Sequence, residues 1–169
     1  IDINISGLNN ETSLTLAVRD NNGIEIVSSI LHHQKFDPIK SNLNYAFYIC
    51  QDSNILQLLY STDSLDVNYQ CPLTENNIVS VKSTLVYSIE QKNEEKCTMV
   101  ISHNQFDPIR SSALQALSML LDDQYREFEG FMKIFEQLFT NYNCNVSVIL
   151  EKAVKLNALQ YCKIILSHH

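Results

Sequence analysis

The sequence predicts an all-α fold, a solenoid of helical hairpins in about five irregular repeats, and three observations carry that prediction. One phrase occurs twice: Ile30-Leu31-His32-His33-Gln34-Lys35-Phe36-Asp37-Pro38-Ile39-Lys40 and Val100-Ile101-Ser102-His103-Asn104-Gln105-Phe106-Asp107-Pro108-Ile109-Arg110. Self-similarity of this kind marks a repeat architecture. Five times, a Leu stands one turn before a usually small residue: Leu14 and Ala17, Leu43 and Ala46, Leu85 and Ser88, Leu114 and Leu117, Leu150 and Ala153. On a helix each pair shares a face, and a small residue there admits a neighbouring helix. Finally, only 3 Gly and 3 Pro stand among 169 residues. That is few for an all-β chain with tight turns, whereas 17 Asn supply caps and turns without Gly.

The elements follow in order. The Asp of the repeated phrase has counterparts in Ile1-Asp2-Ile3-Asn4, Leu65-Asp66-Val67-Asn68 and, with Asn, Cys144-Asn145-Val146-Ser147, at intervals of 35, 29, 41 and 38 residues. Those intervals scatter around the mid-thirties, the range of helical-hairpin repeats. After each Leu comes a second apolar stretch with i, i+3, i+4 spacing, the signature of an amphipathic second helix. These stretches are Ile24, Ile26, Val27, Ile30 and Leu31; Ile55, Leu56, Leu58 and Leu59; Cys97, Val100 and Ile101; Ile134, Phe135, Leu138 and Phe139; Cys162, Ile165 and Leu166. The step from first-helix Leu to second-helix position takes 13, 13, 12, 21 and 12 residues, so the fourth unit carries an insertion around Asp122-Asp123-Gln124-Tyr125-Arg126-Glu127. Asn21-Asn22-Gly23, Asp52-Ser53-Asn54 and Lys92-Asn93-Glu94 are the expected turns. The units run roughly over 5–39, 40–68, 69–109, 110–147 and 148–169, a single array over 1–169 that reads as part of a longer one. Helices of about ten residues cannot bury an apolar face alone, so stacked neighbours must complete the core.

Composition narrows the function. A net charge of −7 and a pI near 5.1 argue against nucleic-acid and anionic-membrane partners. No apolar run approaches the ~18 residues that span a bilayer, so no membrane insertion is expected. The chain begins with Ile1 and shows no leader, which reads as an internal fragment of a cytoplasmic protein. The five cysteines, Cys50, Cys71, Cys97, Cys144 and Cys162, have no C-x-x-C spacing and sit mostly in apolar runs. Small buried thiols in a reducing compartment are the expectation, without a disulfide framework.

Glu11-Thr12-Ser13-Leu14-Thr15-Leu16-Ala17-Val18 opens the first unit with a pattern that resembles the Thr-Pro-Leu-His-x-Ala-Ala of the ankyrin-repeat family. Gly23-Ile24-Glu25-Ile26-Val27 looks like its Gly-x-x-x-Ile-Val, one residue short; Leu58-Leu59-Tyr60 and Leu65-Asp66-Val67-Asn68 look like its Leu-Leu-Leu and Ala-Asp-Val-Asn. Thr-Pro-Leu-His is never intact. The resemblance implies β-hairpin fingers between units; the first unit has the length for one over 5–11, the second, fourth and fifth lack it, and the third has a longer loop over 69–82. It also implies binding on the concave side, by fingers and exposed first-helix faces. That points to Asn9, Asn10 and Thr15 in the first unit and to Glu75, Asn76 and Asn77 in the third.

Other features read as structure. His33, His103 and His168 fall at equivalent repeat positions about one or more repeats apart, too far for one metal ion, and are expected to cap helix ends as cations. Asp37-Pro38 and Asp107-Pro108 are expected to hold loop N–H groups and stop the preceding helix, not to act as catalytic carboxylates. No Ser-His-Asp order, phosphate loop or H-E-x-x-H is present. Phe128, Phe131, Phe135 and Phe139 share one helix face, with core packing first and docking second. Asp122, Asp123 and Arg126 in the insertion are candidate partner contacts. No cofactor, metal or catalytic residue is expected. The resulting reading is a non-catalytic protein-interaction module whose partner, another protein, is neutral or basic. The alternatives are a structural subunit packed in a large assembly, for example a cytoskeletal one, and the targeting arm of an enzyme encoded elsewhere.

Overall fold

A computed structural model describes residues 3–7, 11–20, 23–75, 78–142 and 145–168. Among them the chain is mostly helical, with eleven helices and one two-stranded antiparallel sheet. Helices pair in chain order: α1 (Ser13–Arg19) with α2 (Ile24–Leu31), α3 (Leu43–Ile49) with α4 (Ser53–Tyr60), and α5 (Thr84–Glu90) with α6 (Glu94–Ser102). Then α7 (Ala113–Leu120) pairs with α9 (Glu129–Asn141), and α10 (Val146–Lys155) with α11 (Leu159–Ser167); the short α8 (Asp123–Arg126) occupies the insertion. First helices touch in the series α1, α3, α5, α7, α10. Second helices touch in the series α2, α4, α6, α9, α11.

The small residues sit where those first helices meet: Ala17, Ala46, Ser88, Ala116 and Ala153 are all buried. Around them Leu14, Leu43, Leu85, Val27, Leu56, Cys97, Phe135 and Ile165 form one apolar cluster. The fourth unit corrects the expected register. Leu114 is exposed, and the buried residues of α7 are Ala113, Ala116, Leu117 and Leu120. The repeated phrase continues through Ser41-Asn42-Leu43 and Ser111-Ser112-Ala113, which aligns Leu43 with Ala113. A one-residue slip on a helix turns a side chain by about 100°, enough to move it from core to solvent.

Caps explain where the helices begin. Thr12 and Thr15 form a capping box on α1, and Asp52, Ser83 and Asn93 accept the N–H groups of Ile55, Val86 and Lys96 with their side chains. Ser53, Asn54 and Glu94 are therefore helical residues rather than turn residues. Asn21 and Asn22 lie outside the described residues.

The loop over 69–82 is not irregular. It folds as β1 (Gln70–Glu75) antiparallel to β2 (Ile78–Ser83), with Gln70 opposite Ser83, one small ribbon on a mostly helical chain that is compatible with the all-α expectation. In the first unit an isolated bridge joins Ser6 and Thr12, and the Gly7 N–H donates to Glu11 O at 2.7 Å. The two ribbon roots carry the same ion pair with its charges exchanged: Arg19 meets Glu11, and Lys82 meets Glu90 at 2.6 Å.

The two copies of the phrase have one geometry. Asp37 Oδ1 accepts the N–H groups of Ile39 and Lys40 at 3.0 and 3.1 Å; Asp107 Oδ1 accepts those of Ile109 and Arg110 at 2.9 and 3.2 Å. The turn then passes through a left-handed residue, Asn42 at φ 54° or Ser112 at φ 57°, before the next first helix. Each turn is gripped by the asparagine of the preceding x-Asp-x-Asn. Asn4 accepts from the Asp37 N–H and the Ser41 hydroxyl and donates to Lys35 O; Asn68 does the same with Asp107, Ser111 and Gln105. From the other side, the Thr12 hydroxyl donates to Ser41 O at 2.8 Å and the Ser83 hydroxyl to Ser111 O at 2.7 Å. Two successive loops are thus tied together in each case, and the arrangement recurs after two hairpins.

Candidate interaction surface

On the first-helix side, the residue before each buried small residue lies two positions after the Leu (Ala113 in the fourth unit) and so off the core stripe. These are Leu16, Tyr45, Tyr87, Gln115 and Lys152, none of which is buried. Tyr45 and Tyr87 flank Tyr48, whose ring stacks on Tyr87 with centroids 4.2 Å apart and lies 6.2 Å from Tyr45. Tyr69, at the root of the ribbon, meets Tyr48 edge-on at 6.0 Å. Four tyrosines from α3, α5 and the β1 root therefore form one cluster, with Tyr48 buried beneath and the other three half-buried around it.

The ribbon is held over this cluster at its base. Tyr69 O accepts the Thr84 N–H at 3.0 Å and the Thr84 hydroxyl at 3.2 Å, while the Gln70 amide donates to Arg110 O at 2.6 Å. Val81 of β2 is exposed. Burial pushes Tyr69 up to about 12 and raises Tyr48 and Tyr87 as well, so all three remain neutral phenols at physiological pH. Their O–H groups can donate or accept beside an apolar ring, the combination that recognises a protein surface by packing and by hydrogen bonds.

The residues singled out from sequence fare unevenly. Asn9, Asn10, Asn76 and Asn77 lie outside the described residues, and Glu75 is placed by its backbone at the end of β1. Thr15 is corrected: it is fully buried, its hydroxyl used in the capping box with Thr12, so it cannot contact a partner. The next residue of α1, Leu16, is exposed. In the insertion, Arg126 is turned inward. It pairs with Asp123 and donates to Leu156 O at 3.0 Å, while Asp122 pairs with Lys152 at 3.0 Å. Lys152 also donates to Ser118 O and its hydroxyl, at 2.6 and 2.8 Å. Of the three, only Asp123 presents most of its side chain to solvent.

The aromatic run of the insertion packs inward. Tyr125, Phe131, Phe135 and Phe139 are buried, and Phe128 lies against Phe131 beneath the Lys92 ammonium, 4.7 Å from its ring centre. The sequence offered no comparable run for the tyrosine cluster, whose members come from three elements; the repeat position of Leu16, Tyr45 and Tyr87 was the signal that could have found it. His33 and His103 do close their loops, but as acceptors: each Nδ1 receives the N–H two residues on, from Lys35 at 3.1 Å and Gln105 at 3.2 Å.

Among the described residues, no three His, Cys, Asp or Glu side chains gather closely enough to hold a metal ion, and no helix is long and apolar enough to cross a membrane. Comparison of the chain with family models, curated proteins and solved structures finds no match.

Proposed function

We propose that the chain is a non-catalytic protein-recognition module, built as an ankyrin-type helical solenoid, that binds a partner protein across the first-helix row and the β1–β2 ribbon. The serial contacts of first helices with first helices and second with second support the solenoid reading. The tyrosine cluster supports recognition, because aromatic residues on a rigid, half-buried platform are the usual anchors of binding energy. Its place is where fingers and first helices converge. The acidic chain favours a neutral or basic partner. Buried free thiols at Cys50, Cys71 and Cys97 support a reducing, cytoplasmic setting.

The test is affinity capture with the 169-residue chain, followed by titration of any stoichiometric partner against Leu16→Ala and Tyr45→Ala. Each variant is expected to weaken binding about tenfold or more, as truncation of an interface anchor does. Full affinity in the combined variant would place recognition elsewhere. Capture of chaperones alone would remove the reading.

A further inference from the structure

The repeated phrase holds one side chain that folding does not use. Over 31–40 and 101–110 the two copies match position by position in burial. Phe36 and Phe106 pack on the apolar cluster, Asp37 and Asp107 cap the turn, and Ser41 and Ser111 reach the gripping asparagines. Ile39 and Ile109 instead stand 85% and 80% exposed, the two most exposed large apolar side chains among the described residues. In the loops that do the gripping, the same position, two after the Asp, holds Asn4 and Asn68. Along the array this position therefore alternates, with asparagine turned toward the next loop and isoleucine turned to solvent.

Each isoleucine is held out by a fixed backbone. The Ile39 N–H donates to Asp37 Oδ1 at 3.0 Å, and its carbonyl accepts the Asn42 N–H at 3.1 Å. The Ile109 N–H donates to Asp107 Oδ1 at 2.9 Å, and its carbonyl accepts the Ser112 N–H at 3.1 Å. A side chain on such a turn has little freedom left to lose when it docks. Beside each stands an exposed cation, Lys40 or Arg110. Lys40 lies 3.7 Å from Asp37, whose other oxygen is used by the turn, and Arg110 reaches Asp66 at 2.6 Å. A guanidinium has five donors, so Arg110 can take a second carboxylate. The two tips are two hairpins apart, about 20 Å at the usual spacing of packed helices.

We propose that Ile39 and Ile109 are paired anchors of a second docking edge, whose occupant is a partner protein offering an apolar pocket flanked by a carboxylate at both tips. Local charge carries that choice. The groups turned outward at each tip are an isoleucine and a cation, so an acidic rim complements them although the chain as a whole is acidic. A bilayer is the poorer occupant: two isoleucines bury little apolar area, and a net charge of −7 opposes approach to anionic lipid. Contact at one tip makes contact at the other intramolecular, so two modest pockets together bind far more tightly than either alone. The edge shares no side chain with the tyrosine cluster and holds or fails independently of it.

The experiment puts photoreactive benzoylphenylalanine at position 39, or separately at position 109, of the chain in the cells that make it. One and the same protein should cross-link from both positions. That protein, purified, is then titrated against Ile39→Ser, Ile109→Ser and the double variant, with circular dichroism to check that all three stay folded. Each single change should weaken binding about tenfold, and the double change by more than about a hundredfold. Ile39→Leu with Ile109→Leu, which keeps the apolar bulk, should bind nearly as the wild type does. Lys40→Glu with Arg110→Glu should weaken binding most at low salt, where a like-charge contact is least screened. Different proteins from the two positions, a second copy of this chain, lipid alone or no cross-link at all would each overturn the proposal. So would a double serine variant with wild-type affinity.

Discussion

Asn68 and Asp107 lie 39 residues apart, and the Asn68 carbonyl accepts the Asp107 N–H at 2.7 Å while also receiving the Ser111 hydroxyl at 2.7 Å. Asn4 repeats the relationship with Asp37 and Ser41 at 3.1 and 2.7 Å. One side chain thereby fixes the start of the turn that launches the next first helix. A backbone N–H in such a turn has no helical partner, so the asparagine from the previous loop supplies one.

Removing Asn68 should therefore leave buried groups unpaired. Asn68→Ala is expected to cost about 2–4 kcal/mol in urea denaturation, the sum of two orphaned groups. Asn4→Ala, in the more open first loop, should cost less. If Asn68→Ala unfolds with the wild-type midpoint and slope, the loop is held by something else.

The register of the fourth unit has a direct readout. Leu43 is buried, and Leu43→Ala should cost about 2–5 kcal/mol through lost apolar contact and a residual cavity. Leu114, its expected counterpart from the sequence spacing, is exposed, and Leu114→Ala should cost less than about 0.5 kcal/mol. Equal costs would return Leu114 to the core and displace Ala113.

Lys96 makes stability depend on pH. Its side chain is buried, its ammonium donates to Tyr48 O at 3.0 Å, and burial lowers it from 10.5 to about 8. Below pH 8 folded and unfolded chains both carry the proton, and the penalty of burying it is fully present. Between about 8 and 10.5 the unfolded chain holds the proton and the folded chain does not, so this contribution to stability rises with pH. Tyr69 and Cys97, each pushed up to about 12 by burial, act in the opposite direction as the unfolded chain loses their protons first. Comparing Lys96→Met with the wild type cancels those shared terms. The stability advantage of the variant should narrow by about 2–3 kcal/mol between pH 7 and pH 10. A gap independent of pH would show that Lys96 is protonated alike in both states.

What could be read in the chain was local and periodic. The phrase ending in Asp37 and Asp107 marked two loops of identical geometry, the Leu-x-x-small steps marked four of the five first helices in their correct register, and the i, i+3, i+4 stretches marked all five second helices. These signals survive because a helix face and a turn are set by residues within a few positions of one another. The ribbon over 70–83 was less legible, since its strands are stabilised by each other and by Tyr69 and Arg110 at its base, not by a strong turn signal.

The sequence by itself determined the hairpins, their order and the residues that close their loops. Tertiary structure decided which positions face a neighbour: that Thr15 is enclosed while Leu16 is open, that Arg126 turns inward to Leu156, and that Tyr45, Tyr48, Tyr69 and Tyr87 meet. The physical reason is that exposure belongs to the stack and not to the unit. Ile26 and Ile55 hold the same position in successive helices, and only the hairpin packed in front of Ile55 makes one of them core and the other surface.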